Sequence, residues 1–512
     1  MSREEGRSPS RFVGAVRNAG LARSALLAAV TILVLLAIAT DGIPLLRGPA
    51  PYPPEWQWAY REGPSSGRLV LALAAAGGLL GLLALSGSAW ARRGPRRAAL
   101  LLLPAAIALG WLFQLGLLDL EPAGAFPTLL ARTVSRTHTS YFTVAVSPEA
   151  RDPLEFLRRH ASLLPTLRTA AKHAATHPPG PVLYYRGLVA VCEASPGLTG
   201  LLLRSLPENG DPGVPAASAA RAAALLGALL LGLLGAATGL PVAWLAARLA
   251  GDTLAGVRAG VLWSLLPGPA LFVPQFDQAL ALPVTLAAAL LVAALGAERL
   301  PRALLPAVIA GLVGGIALFV SYGSAAFLLL GGLVALALDR RPRWRGLLLC
   351  GLAAATALGL FAASAILGHE PLPAARTALA IHREVYTRPR SYRLWLLFNP
   401  LDLALFLGVP VTLLGLARLR SALGGPHDGP AGAAPRMTLA LAGGLGLLVL
   451  SGVTRGEVGR IWMPLMPLLL VSALARPAGV DGEAASPGSG PALLLGILLA
   501  ALCVTLRVHW VL

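Results

Sequence analysis

Charge is the scarcest commodity in this chain: 13% of its 512 residues are Asp, Glu, Lys or Arg, against 56% hydrophobic. A soluble domain of this length cannot cover itself with so few charges, and a mean hydropathy of +0.70 excludes that class outright. Lysine is nearly absent: Lys172 is the only one, so the formal charge of +18 is carried by arginine. Those arginines fall in short clusters between apolar runs rather than on one soluble face, which argues against a nucleic-acid partner. Cysteine is equally sparse. Cys192, Cys350 and Cys503 are far apart in sequence, so no disulfide framework or metal-ligand spacing is indicated. There is also no Walker loop, no dinucleotide-binding glycine fingerprint and no zinc-protease helix.

What the chain has in abundance is apolar runs near the length of a membrane span, about 20 residues. They lie near 24–40, 68–89, 98–118, 218–240, 254–271, 278–297, 303–320, 323–338, 346–366, 399–418, 437–453, 461–476 and 491–507. The expected fold is therefore an all-α polytopic membrane protein, a bundle of roughly thirteen helices. The first run is preceded by Arg3, Arg7, Arg11, Arg17 and Arg23 and lacks a small-residue cleavage site, which reads as a retained span with a cytoplasmic N-terminus. Counting from there puts Arg92 to Arg97, Arg248, Arg258, Arg299 to Arg302, Arg340 to Arg345, Arg418 to Arg436 and Arg476 on the same, cytoplasmic side. The stretches Gly424 to Ala434 and Ala478 to Pro491 read as linkers on that side. Three regions follow: residues 1–118 with three spans and an outer loop rich in Pro and Trp, 119–300 with a large outer loop, and 301–512 with outer loops at 367–398 and 454–460.

With this topology the chemically varied segments gather on the outer face. The chain is organised around THPPGPVLYYRG, Thr176 to Gly187, where paired prolines enforce an extended entry and Tyr184 and Tyr185 form an interfacial aromatic pair. Others are the loop from Asp41 to Gly63, VPQFDQ around Asp277, SYGS at 321–324, HEPLPAARTALAIHREVYTRPRSYR at 369–393 and TRGEVGR at 454–460. An acid such as Asp277 beside two apolar spans is costly unless it faces a cavity or a partner. Its plain alternative is a helix cap. Glu457 and Arg460 have an alternative as well, a salt bridge between helices.

The order of Pro178-Pro179 with its aromatic pair, AASAARAAALLGALL, WLAARLAGD and GVRAGVLWSLLPGPALFVPQFDQ resembles the core of the GT-C superfamily of membrane glycosyltransferases, in its family 39 and RgtA/B/C/D-like group. The match covers about residues 170 to 300. The resemblance implies a GT-C-type bundle with short helices in its outer loops, and transfer of a sugar from a polyprenyl-phosphate donor to an envelope lipid, glycan or protein acceptor. It further implies a setting in the bacterial inner membrane, among membrane lipids. Such chemistry needs a carboxylate to take the acceptor proton and cations to hold the phosphate leaving group. Asp277 stands where the family has a site aspartate, and His177 where it has a polar residue before Pro-Pro.

One departure is plain. Members carry an acid or acidic pair early in the first large outer loop, whereas the comparable RTHTSYFTVA, Arg132 to Ala145, has Thr139 and Ser140. The base then comes from the N-terminal outer loop, Asp41 just after the first span ranking first and Glu55 beside it, or from Asp119 or Glu121 after the third, with Asp277 as the other candidate catalytic acid. Candidate substrate contacts are Glu55, Trp56, Trp58 and Tyr141, together with Glu457 and Arg460 near the end of the chain and Arg388 in a loop suited to a lipid phosphate. No metal ligands can be assigned among acids so dispersed, and use of a divalent metal stays open. A secondary transporter or lipid-linked sugar flippase is the rival class, but it calls for charges at mid-membrane. The spans here are almost free of acids.

Overall fold

A computed structural model describes residues 9–61, 68–207, 218–424, 432–475 and 489–512, with side chains from residue 20 onward. Arg3, Arg7, Arg476 and most of the two expected linkers lie outside the described residues. The described chain is almost entirely helical, with one two-residue antiparallel pairing of Ala59–Tyr60 with Trp510–Val511. Among the described residues eight helices are long and apolar enough to cross a membrane, and a ninth crossing forms if the bent pair Tyr392–Leu407 and Val409–Gly424 counts as one. This is a multi-pass, all-α membrane protein. The other expected spans fall on shorter helices, Leu69–Leu85, Ser324–Leu338 and Met463–Leu474, and on the interrupted pair Thr253–Trp263 and Pro267–Leu271.

Helix is the only economical choice for these runs, because it pairs every backbone N–H and C=O inside the segment where lipid offers no partner. How deeply each helix sits then follows from residue size. The helix ending at Ala39 is 11% buried and rides on the outside, while Ala219–Ala250 is 61% buried at the centre. Small residues bring the central backbones together: a Cβ added at Gly256 would lie 2.4 Å from the Ala243 carbonyl, and one at Gly311 equally close to that of Ala353. The bent pair turns by 115° at Gly408, whose φ of +94° suits glycine and whose missing side chain leaves room for Leu499.

At one end of the bundle the connections are long and form short helices of their own. Tyr141–Ala145, Pro153–Ala170 and Gly180–Ala194 come from the 119–217 region, and Pro371–His382 comes from the 368–391 connection. Leu164 and Ala175 pack on Ala374, Ala378 and Ile381, which ties the first group to the second. The loop after the first helix is fastened to the same end. Trp58 donates through Nε1 to Asp402 Oδ1 at 2.9 Å, and Tyr60 donates to the Ala39 carbonyl at 2.8 Å.

Candidate functional site

Those connections enclose a cleft of two lobes. The smaller, about 1200 Å³ with its mouth, is walled by His138, Tyr141, His173, His177, Asp277 and His382, among others. A second lobe of about 2480 Å³ is lined by Arg47, Arg132, Arg136, Lys172, Trp56 and Glu121, among others. His138, His173, Gln275, Tyr386, Arg390, Glu457 and Arg460 border both, so these residues form the seam between them.

Asp277 reaches the smaller lobe because VPQFDQ ends a non-helical stretch and starts the Phe276–Gly296 helix, leaving the carboxylate in its first turn. An acid is favoured there by the helix dipole. Its nearest cation is Arg460, whose Nε lies 3.8 Å from Oδ2. Arg460 in turn donates through Nη2 to Glu457 at 2.9 Å and through Nη1 to Gln275 at 3.2 Å. Burial works against the Arg460 charge, but Glu457 and Asp277 outweigh it and raise its pKa, so the guanidinium stays charged. Glu457 also faces Arg390 at 3.5 Å and holds a left-handed backbone, φ +57°.

The loop carrying this seam is anchored from below. Asn399 donates to the Thr454 carbonyl at 2.8 Å and accepts from the Gly456 N–H at 3.2 Å, and Asp402 accepts from the Gly459 N–H at 2.9 Å. These two residues sit three apart on one helix face, which is why a single helix can hold both ends of the turn.

Beside Asp277, Glu457 and Arg460 the smaller lobe carries histidines that burial keeps neutral. The imidazole of His177 is pushed down to about 4, that of His138 to about 4 and that of His173 to about 3, in each case first by desolvation and further by nearby cationic groups, with a backbone hydrogen bond opposing the shift at His177 and His173. His177 Nδ1 is fixed 2.8 Å from the His173 carbonyl, and its ring meets Tyr141 edge-on at 5.3 Å. Tyr386 is brought to the seam by a π-helical turn, Arg383–Thr387, and its hydroxyl is pushed up to about 12 by burial and by Glu457. Wide turns of this kind recur at functional sites.

Cations dominate the larger lobe, and several are held in place by counter-charge or an aromatic ring. Glu121 accepts from Arg61 at 2.8 Å and from the fully buried Arg507 at 3.0 Å, with Arg132 at 3.7 Å. Desolvation and Arg507 lower the Arg132 pKa to about 9, which leaves it charged at neutral pH. Arg390 lies over the Trp56 ring at 5.7 Å. Arg136 and Lys172 stand exposed on the rim.

Of the residues expected from sequence, Asp277, His177, Tyr141, Glu457 and Arg460 meet in the smaller lobe, and Trp56, Trp58 and Glu121 border the larger one. The rest lie elsewhere. Asp41 forms a two-pronged pair with Arg47, both bonds 2.9 Å, and lines neither lobe. Asp119 accepts from the Ala125 N–H at 3.3 Å, closing a turn. Glu55 spends both oxygens on the Ser391 N–H at 2.8 Å and Trp395 Nε1 at 2.7 Å, which fastens the outer loop to a helix start. Arg388 is exposed, and Arg390 takes the place in the cleft expected of it. His382 and Tyr386 belong to the loop expected to suit a lipid phosphate, whereas Arg132, His138 and His173 are not among the expected site residues; the interspersed His and Arg of the first long outer loop are the available signal. Among the described residues no group of three or more His, Cys, Asp or Glu is arranged to hold a metal ion. No protein-family profile, curated protein or solved structure matches the chain.

Proposed function

We propose that the chain is a GT-C-type membrane glycosyltransferase that moves a sugar from a polyprenyl-phosphate donor to an envelope lipid, glycan or protein acceptor. The observation that carries this reading is the seam itself: a carboxylate, Asp277, among buried neutral histidines, 3.8 Å from an arginine that opens on a cationic lobe. In this reading Asp277 takes the proton of an acceptor hydroxyl while that oxygen attacks the anomeric carbon. The bond from that carbon to the phosphate oxygen breaks, and polyprenyl phosphate departs with the electron pair. Its developing charge is met by Arg460 and Arg390, cations fixed before the reaction begins.

The placement of the charges favours this over the flippase reading, since the charged groups lie at the ends of the bundle rather than halfway through it, and the carboxylates of the cleft gather at one end. We extend the proposal to a finer topology, for which the arginine clusters between apolar runs are the support: about thirteen crossings, a cytoplasmic N-terminus, and the cleft on the outer side of a bacterial inner membrane. Purified protein in lipid, given a panel of radiolabelled polyprenyl-phosphate monosaccharides with candidate acceptors, should release polyprenyl phosphate, and Asp277→Asn should not. Movement of a donor between vesicle leaflets without consumption would replace the transferase with a flippase.

A further inference from the structure

A second crevice opens at the other end of the bundle, independent of the transferase reading. The helix that presents Asp277 to the cleft ends at Gly296, and Leu295 and Gly296 line this crevice. At 1.5 Å per residue the two sites stand about 27 Å apart, close to the thickness of a bilayer core. The crevice encloses about 1010 Å³ with its mouth. Five helices meet around it, contributing Leu245 and Leu249, Val292 and Leu295, Leu338, Met437 and Val471. Leu245, Leu295, Met437 and Val471 are buried, so these walls belong to the interior of the bundle rather than to its lipid-facing surface.

The mouth is cationic. Arg248, Arg340 and Arg341 line it, opposed by the single carboxylate of Asp339. Arg341 spans the frayed end of the Phe276–Gly296 helix, donating to the Gly296 carbonyl at 3.0 Å, the Glu298 carbonyl at 2.9 Å and that of Ala297. Its backbone N–H is taken by Asp339 at 3.1 Å. Arg248 hangs over the same helix end, its Nη2 3.2 Å from the place of a Cβ on Gly296. Unlike Arg341, its side chain is exposed, and its guanidinium is not engaged by the helix carbonyls.

We propose that this crevice is a binding site for one anionic phospholipid, the phosphate resting on Arg248 and an acyl chain lying between the apolar walls. The chemistry selects the occupant. Water has no partners along the apolar walls, a soluble anion would leave them unfilled, and a zwitterionic lipid would bring its own cation to an arginine-rich mouth. Basic pockets between helices at headgroup depth are suited to anionic lipid heads. Binding there would tie five helix ends together at the foot of the helix that carries Asp277.

The full-length protein is exchanged into detergent, delipidated, and titrated with phosphatidylglycerol, phosphatidylcholine or inorganic phosphate, reading bound lipid by native mass spectrometry and thermal stability by unfolding midpoint. Wild type should retain one phosphatidylglycerol and gain stability from it. Arg248→Ala should weaken that binding about fivefold, the effect of one interfacial cation. Arg299→Ala, an exposed arginine at the same end but outside the crevice, should leave it unchanged. Equal retention of phosphatidylcholine, an equal gain from inorganic phosphate, or undiminished binding in Arg248→Ala would each overturn the proposal.

Discussion

The two lobes of the cleft share a wall yet are built by opposite means. In the smaller, the histidines are kept uncharged: His138, His173 and His177 are held neutral by burial, beside Asp277 and the ion-paired Glu457 and Arg460. In the larger, charge is concentrated: Arg47, Arg132, Arg390 and Arg460 line it, and Arg132 belongs to an ion cluster in which Arg61 and Arg507 share Glu121. With the histidines neutral and Glu457 held by Arg460 and Arg390, Asp277 is the carboxylate left to accept a proton from a bound hydroxyl. Cations locked in position stabilise an arriving or departing anion without having to reorganise. In the transferase proposed above, proton transfer falls to one lobe and phosphate binding to the other.

The strongest way to break that division is Asp277→Asn, which preserves shape and removes the base. Turnover should fall roughly 100- to 10,000-fold, the usual worth of a positioned base, while donor binding persists in an equilibrium assay. Retained turnover would move the base elsewhere. Arg460→Ala should come next, lowering kcat roughly 100- to 1,000-fold, as for loss of one charge-stabilising donor in a closed site. A rise in KM alone would mean that Arg460 only binds the ground state.

Glu121→Gln probes the larger lobe through stability. It leaves Arg507, with no exposure, and Arg132 facing each other without their shared carboxylate, and breaking a buried ion cluster costs about 3 kcal/mol. The unfolding midpoint in detergent should drop clearly. An unchanged midpoint would show that the cluster is solvated.

The smallest effect concerns pH. The cleft histidines titrate lower when folded, His177 at about 4, than the 6.5 expected when unfolded. Between those values the unfolded chain binds more protons, so stability is complete above about pH 6.5 and falls as pH drops toward 4. In His177→Asn the decline should be shallower. Identical profiles would mean that His177 is not held neutral in the folded protein.

The fold class was legible because apolar runs and arginine clusters are one-dimensional signals. Asp277, His177, Glu457 and Arg460 were legible for a related reason: each stands at the boundary of an apolar run, so its end of the bundle follows from counting. Asp41 and Glu55 misled because their partners decide their roles. Arg47 claims Asp41 from six residues away, and Ser391 and Trp395 claim Glu55 from the far side of the chain. Arg388 was displaced in favour of Arg390 by the wide turn at Arg383–Thr387, which changes which side chains face inward and leaves no sign in hydropathy. Glu121 was expected as an acid for catalysis, but the arginines that surround it come from distant segments.

The most direct measurement is single-turnover release of polyprenyl phosphate from a radiolabelled donor, with donor binding read in parallel, for wild type, Asp277→Asn and Arg460→Ala. Divided labour predicts that Asp277→Asn binds donor normally and releases nothing on the wild-type timescale, while Arg460→Ala is impaired in release of the phosphate. Wild-type release by Asp277→Asn, or loss of donor binding in that variant with Arg460→Ala unaffected, would contradict it.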